Sequence, residues 1–165
     1  TNLKLINPKA KTLVAIGGWN EGSEKYSSVA ANLTFRKNLI NSAIELMNKY
    51  GFDGFDIDWE YPGQRGGRPE DKANFATLVK EFRAAFGTRY LLSIASGATG
   101  EMISISYDVP TLSQNLDFIN VMTYDLHGVW DHATGHNAPL YPNFAVPGTS
   151  VSQCIDAWIA NGANP

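Results

Sequence analysis

Apolar positions fall in short blocks separated by turns. Residues 12–16 form a short apolar run closed by Gly17-Gly18, the pattern of a buried strand ending in a turn. Phe35, Leu39, Ile40, Ala43, Ile44 and Met47 then recur at helical spacing, with Asn32 or Thr34 available as the cap and Gly51 just beyond the end. Residues 54–60 read as a strand, followed by a Gly-, Arg- and Pro-rich loop over 62–68. Pro69 opens a second helix with Glu70 and Asp71 in its first turn; its stripe is Phe75, Leu78, Val79, Phe82 and Phe86, and Gly87 stops it. Residues 90–95 and 117–124 read as two more strands, separated by a loop and a short helical turn near 110–114. A last helix carries Val151, Cys154, Ile155 and Trp158 on one face.

This strand–helix alternation predicts an α/β fold with a parallel sheet and helices outside it. Four βα units are visible in 165 residues, whereas a closed eight-stranded barrel takes roughly 250. Periodicity alone fits either a small doubly wound sheet or half a barrel.

Charge narrows the partners. With 13 Lys+Arg against 16 Asp+Glu and a net charge of −3, the chain has no clustered basic surface for nucleic acid or an anionic membrane. No apolar run approaches the roughly 20 residues that cross a bilayer. Cys154 is alone, which excludes a disulfide within this stretch and a thiolate zinc cage, and reads as a small buried apolar residue. His127, His132 and His136 are too loosely spaced for a zinc site and read as loop histidines. Asn32-Leu33-Thr34 is an N-glycosylation sequon, compatible with secretion.

The chemistry concentrates in Asp53-Gly54-Phe55-Asp56-Ile57-Asp58-Trp59-Glu60-Tyr61-Pro62. Side chains alternate across a strand, so Asp56, Asp58 and Glu60 share one face and Phe55, Ile57 and Trp59 the other. With helices covering the apolar face, the three carboxylates turn into the protein or its mouth, at a cost in stability. A solvated edge strand or a divalent-metal site would also use such acids, although the spacing does not match a calcium loop. The third reading is acid/base catalysis. Carboxylates two residues apart have Cα atoms about 6.6 Å apart, near enough to couple their titrations and keep one protonated. Cleavage of a glycosidic bond needs such a proton donor. Glu60 lies at the carboxyl end of the strand, where parallel α/β folds place their chemistry.

Asp53-Gly-Phe-Asp56-Ile-Asp58-Trp59-Glu60 resembles the D-G-x-D-x-D-W-E signature of family 18 glycoside hydrolases, the chitinases and chitinase-like lectins, with every acidic position kept. Ala15-Ile-Gly17-Gly18-Trp19 is similar to the family's third-strand motif, with Ala where Ser is frequent. Met122-Thr123-Tyr124-Asp125 is similar to its sixth-strand motif. Tyr61-Pro62-Gly63 and Leu126-His127-Gly128 continue the match.

The resemblance implies a TIM (β/α)8 barrel of which residues 1–165 are the central part, holding strands three to six of a single catalytic domain incomplete at both ends. It implies a secreted, extracellular chitinase without metal or cofactor, a monomer when full length, whose partner is chitin or a chitooligosaccharide and not nucleic acid or a membrane. By the same resemblance Glu60 would be the general acid and then base. Asp58 would orient the substrate acetamide, Asp56 would hold Asp58 and exchange its proton, and Tyr124 would hydrogen-bond the acetamide oxygen. Gly17, Gly18, Trp19, Asn20, Tyr61, Met122, Thr123, Asp125 and Trp130 would line the sugar cleft. The family uses the substrate's own acetamide as nucleophile, outside the two-carboxylate scheme. Two rivals are a catalytically silent chitin-binding lectin, whose family members typically lack the acid at position 60, and an endo-N-acetylglucosaminidase acting on N-glycans.

Overall fold

A computed structural model describes residues 2–143 and 148–165. Four parallel strands, β1 (Leu13–Gly17), β2 (Gly54–Asp58), β3 (Leu91–Ser96) and β4 (Phe118–Val121), pair in sequence order in one sheet. The helices are α1 (Asn2–Ile6), α2 (Glu24–Ala31), α3 (Leu33–Tyr50), α4 (Asp71–Phe86), α5 (Gly100–Ser106), α6 (Val109–Asn115) and α7 (Val151–Ala160). None is long and apolar enough to cross a membrane.

The sheet has two chemically different faces. Phe55 and Ile57 of β2 and Leu92 and Ile94 of β3 point outward and are buried with Ile40 and Met47 of α3 and Phe75, Leu78, Val79 and Phe82 of α4. Phe55 stacks on Phe82 with ring centres 5.3 Å apart. Each such side chain contributes roughly 1.5–3 kcal/mol by leaving water, so this layer fixes the register of β2 against the helices. Parallel partners lie on the same face. The opposite face therefore carries Ala15, Asp56 and Ser93 side by side, with Asp58 and the paired Ala95 and Asn120 a step further on.

The long helices follow the expected signals. The side-chain oxygen of Asn32 caps α3, accepting from the amides of Thr34 at 2.9 Å and Phe35 at 3.1 Å, and Gly51 closes the helix in the left-handed region. Cys154 is buried, as its apolar reading requires. Several elements differ from the periodicity. α2 lacks an apolar stripe, burying only Ser27 and Ala30, and α5 buries Ile103 and Ser106, so neither announces itself by spacing. α4 starts at Asp71 rather than Pro69, because the Asp71 carboxylate turns back to accept from the amide of Arg68 at 2.7 Å and the hydroxyl of Ser27 at 2.7 Å. β4 ends at Val121: after the Met122 amide bonds Ser96 at 3.0 Å, the Thr123 amide turns back to Val121 and leaves the ladder.

β1 and β4 are the edges of the sheet, and Phe118 beside the polar face is 43% exposed. Unpaired edges with apolar surface next to them associate. Residues 1–165 expressed alone should therefore self-associate and melt without a sharp transition; a monodisperse monomer with one cooperative calorimetric peak would contradict this.

Candidate active site

Glu60 lies two residues beyond the end of β2 and is buried, 8% exposed. Trp59 fixes its approach. The indole is buried on the helix side, stacked on Tyr26 at 5.8 Å and edge-on to Phe75 at 5.5 Å. Its neighbour in sequence is thereby turned to the polar face, where Asp56 and Asp58 lie. The Glu60–Tyr61 peptide bond is cis.

Gly17 and Gly18 let β1 close on this strand end. A Cβ at Gly17 would lie 2.0 Å from the Asp58 carbonyl oxygen, and its φ of +107° is one that side chains rarely adopt. The Gly18 amide donates to that same carbonyl at 2.7 Å. The pair thus sets the Asp58 backbone against β1 at a spacing that other residues would prevent.

The two ends of β2 treat their carboxylates oppositely. At Asp53, before the strand, burial pushes the carboxyl up, but Lys4 at 2.7 Å, the Thr12 amide at 2.7 Å and the charge of Lys11 outweigh it and hold it at about 2. At Asp58, burial pushes the carboxyl up and nothing answers it; the charges of Glu60 and Asp56 push the same way, to about 6. Its Oδ1 is buried with no hydrogen-bond partner among the described residues. Asp56 is better served, accepting from the Ser93 hydroxyl and from the Asn120 amide at 3.4 Å. Burial first, then the carboxylate of Glu60, also holds the Tyr61 hydroxyl well above its usual range, and burial with Asp58 and Glu60 raises Tyr124.

Asp58 and Glu60 open into a groove of about 720 Å³ that also meets Trp19, Tyr61, Met122, Tyr124, Asp125 and Trp130. Trp19, Tyr124 and Trp130 are 57%, 54% and 63% exposed, so aromatic faces stand open to a ligand. Asp125, at a φ of +52°, is held by the Asn137 amide at 2.6 Å. The remaining sequence candidates lie outside the groove wall: Asp56 sits deeper along β2, Gly17 and Gly18 act on the backbone, Asn20 is exposed in the turn after β1, and Thr123 turns with the chain leaving β4. His127 is packed under Gly135 and Gly148 and faces Asp131 at 3.3 Å, a loop clasp at the groove's flank.

Sequence reasoning missed Arg65 and Ser93. The Arg65 guanidinium lies 3.5 Å over the Trp19 ring and donates to the carbonyls of Trp19 at 2.7 Å and Glu60 at 3.1 Å, joining the aromatic platform to the acid. Nothing local marks an arginine in a Gly-rich loop for this. Ser93 was legible in principle: a serine in the middle of an apolar strand, in register with Asp56, is a polar group seeking a partner.

The family model for glycosyl hydrolases family 18 matches residues 1–165. The probable chitinase 2 of Drosophila melanogaster is 45% identical over 100% of this chain and 34% of its own length. The oviduct-specific glycoprotein of Sus scrofa is 42% identical over 99% of the chain and 32% of its own length. Among solved structures, the Group IV chitinase of Ostrinia furnacalis in complex with allosamidin superposes with a TM-score of 0.95 at 42% identity, covering 99% of this chain and 46% of that one. The chain belongs to glycosyl hydrolase family 18, and its parallel α/β sheet is that of the family's barrel. It spans about a third of the length of these curated relatives.

The Asp58 shift has a consequence for stability. An unfolded carboxyl titrates near 3.8 and the folded one near 6, so between them the folded state keeps a proton that the unfolded state has released. The contribution of Asp58 is complete below about 3.8 and lost as the pH rises through about 6. Asp58→Asn in the intact protein should leave the melting temperature near wild type in acid and raise it above wild type at neutral pH; a difference independent of pH would contradict the shift.

Proposed function

We propose that the intact protein hydrolyses β-1,4-linked N-acetylglucosamine polymers, with Glu60 as the proton donor. The observation that carries this reading is the pairing of a buried Glu60 with Asp58, whose carboxyl is pushed up to about 6, at the wall of an aromatic groove. The relatives add the substrate class: one named a probable chitinase, and one chitinase structure with allosamidin bound.

In this reading Glu60 protonates the oxygen of the scissile bond while the carbonyl oxygen of the substrate's C2 acetamide attacks the anomeric carbon from the opposite face. A cyclic oxazolinium ion forms and the sugar alcohol leaves. Asp58 Oδ1, buried with no hydrogen-bond partner among the described residues, accepts the acetamide N–H and, once its proton has passed to Asp56, offsets the developing positive charge. The Tyr124 hydroxyl, kept protonated by burial and by the nearby carboxylates, donates to the acetamide oxygen. Glu60 then takes a proton from water, which opens the ring with retained configuration. Asp56, anchored by Ser93 and Asn120, holds Asp58 and exchanges its proton. Trp19, Tyr61, Met122, Asp125 and Trp130 hold the flanking sugars, and Gly17, Gly18, Asn20 and Thr123 act behind the groove wall by setting the backbone that carries it.

The four βα units are strands three to six of one catalytic barrel. The protein acts outside the cell, as a monomer, without metal or cofactor. A second reading, a lectin of the same fold, draws on the oviduct-specific glycoprotein, a relative whose name states no hydrolysis. The acids at 56, 58 and 60 favour the enzyme.

One experiment separates these. Wild type should cleave N-acetylated chitooligosaccharides and spare oligomers deacetylated at the cleavage position. Glu60→Gln should lose about 10²-fold or more in turnover while binding the oligomer as before. A Glu60→Gln protein keeping more than about a tenth of wild-type activity would reject the role of Glu60. Equal cleavage of deacetylated linkages would reject the acetamide step, and binding without turnover by wild type would establish the lectin.

A further inference from the structure

We propose that Ser23 is a positioning residue for Glu60, fixing the chain on both sides of the acid through one hydroxyl; this rests on the reading of Glu60 as proton donor. Ser23 stands at the N-cap of α2, where a serine hydroxyl ordinarily accepts from an amide of the first helical turn. Here it makes no cap hydrogen bond. The hydroxyl is turned away from its own helix and toward the active-site strand, accepting from the Trp59 indole N–H at 3.0 Å and donating to the Tyr61 carbonyl at 2.9 Å. A carbonyl can only accept and an indole N–H can only donate, so the single hydroxyl proton has one assignment and the bridge one direction.

The residues before and after Glu60 are thus tied to the same oxygen atom. That oxygen is itself well held. Ser23 is 1% exposed, its amide donates to the Arg65 carbonyl at 3.3 Å, and its carbonyl accepts from the Ser27 amide at 2.8 Å. The indole it bonds is fixed between Tyr26 and Phe75. Ser23 does not line the groove, so its hydroxyl reaches the chemistry only through the 59–61 backbone. Without it, the buried Trp59 N–H loses its partner and the Tyr61 carbonyl keeps only the Gln64 amide at 3.0 Å, so the segment carrying Glu60 loses its tie to α2 and shifts.

The test compares wild type, Glu60→Gln, Ser23→Ala and Ser23→Thr of the intact protein on one N-acetylated chitooligosaccharide, with rates taken per folded molecule. Ser23→Ala should lower kcat about tenfold while KM stays within about twofold, the split that a displaced acid in an intact sugar groove produces. Ser23→Thr keeps the hydroxyl and should restore kcat to within about threefold of wild type. An active wild type whose Ser23→Ala variant keeps kcat within about twofold, or loses it equally through KM, overturns the positioning role alone. A wild type without turnover, or a fully active Glu60→Gln, overturns the reading of Glu60 and this role with it. If Ser23→Ala does not fold, Ser23→Thr decides: kcat near wild type supports the bridge, and a tenfold fall in a folded Ser23→Thr protein overturns it.

Discussion

The strand alternation of β2 is the constraint on which the site depends. A single residue step separates Phe55, Ile57 and Trp59, which must be buried against α3 and α4, from Asp56, Asp58 and Glu60, which must then stand together on the other face. A slip by one residue would bury three acids among Phe75, Val79 and Phe82 and expose three large apolar side chains. The packing energy of the outer layer therefore holds the carboxylates together against their mutual repulsion. Chemistry at the strand end is a by-product of a register that hydrophobic burial enforces.

The surrounding residues refine that arrangement. Gly17 brings β1 against the Asp58 backbone where a side chain would collide, and the Gly18 amide bonds the Asp58 carbonyl there. Ser93 and Asn120 supply donors to Asp56, whereas Asp58 Oδ1 has no hydrogen-bond partner among the described residues and burial raises its carboxyl. Arg65 and Ser23 stitch the turn after β1 to the loop after β2 around Glu60. The contrast with Asp53 is informative. The same strand carries at its other end an acid surrounded by Lys4, Lys11 and the Thr12 amide, and there the charged form wins. Environment, not residue type, separates a structural carboxylate from one suited to proton transfer.

Much of this was legible in the chain. The four strands, the long helices α3 and α4 and the shared face of Asp56, Asp58 and Glu60 follow from period 2 and period 3.6 alone. The choice between an open sheet and a barrel did not follow from periodicity and came with the family. α2 and α5 were hidden because they bury small residues, whose periodicity carries little hydrophobic contrast. Arg65 and Ser23 were hidden for another reason: their partners are backbone carbonyls and an indole N–H, groups that leave no mark in the residue pattern. By residue type alone Trp19 and Tyr124 read as core aromatics, and the family motifs reverse that reading; both are more than half exposed at the groove.

Burial, then the neighbouring carboxylates of Glu60 and Asp56, raise the Asp58 carboxyl well above the ordinary carboxylate range. The most direct measurement is a pH titration of the Asp58 side-chain carboxyl carbon by NMR in the intact protein, with Asp58→Asn identifying the signal. The account predicts a midpoint near 6. A midpoint at the ordinary value of about 4 would contradict it, and would mean that solvent or a donor reaches the buried oxygen and that the acids at the end of β2 titrate independently.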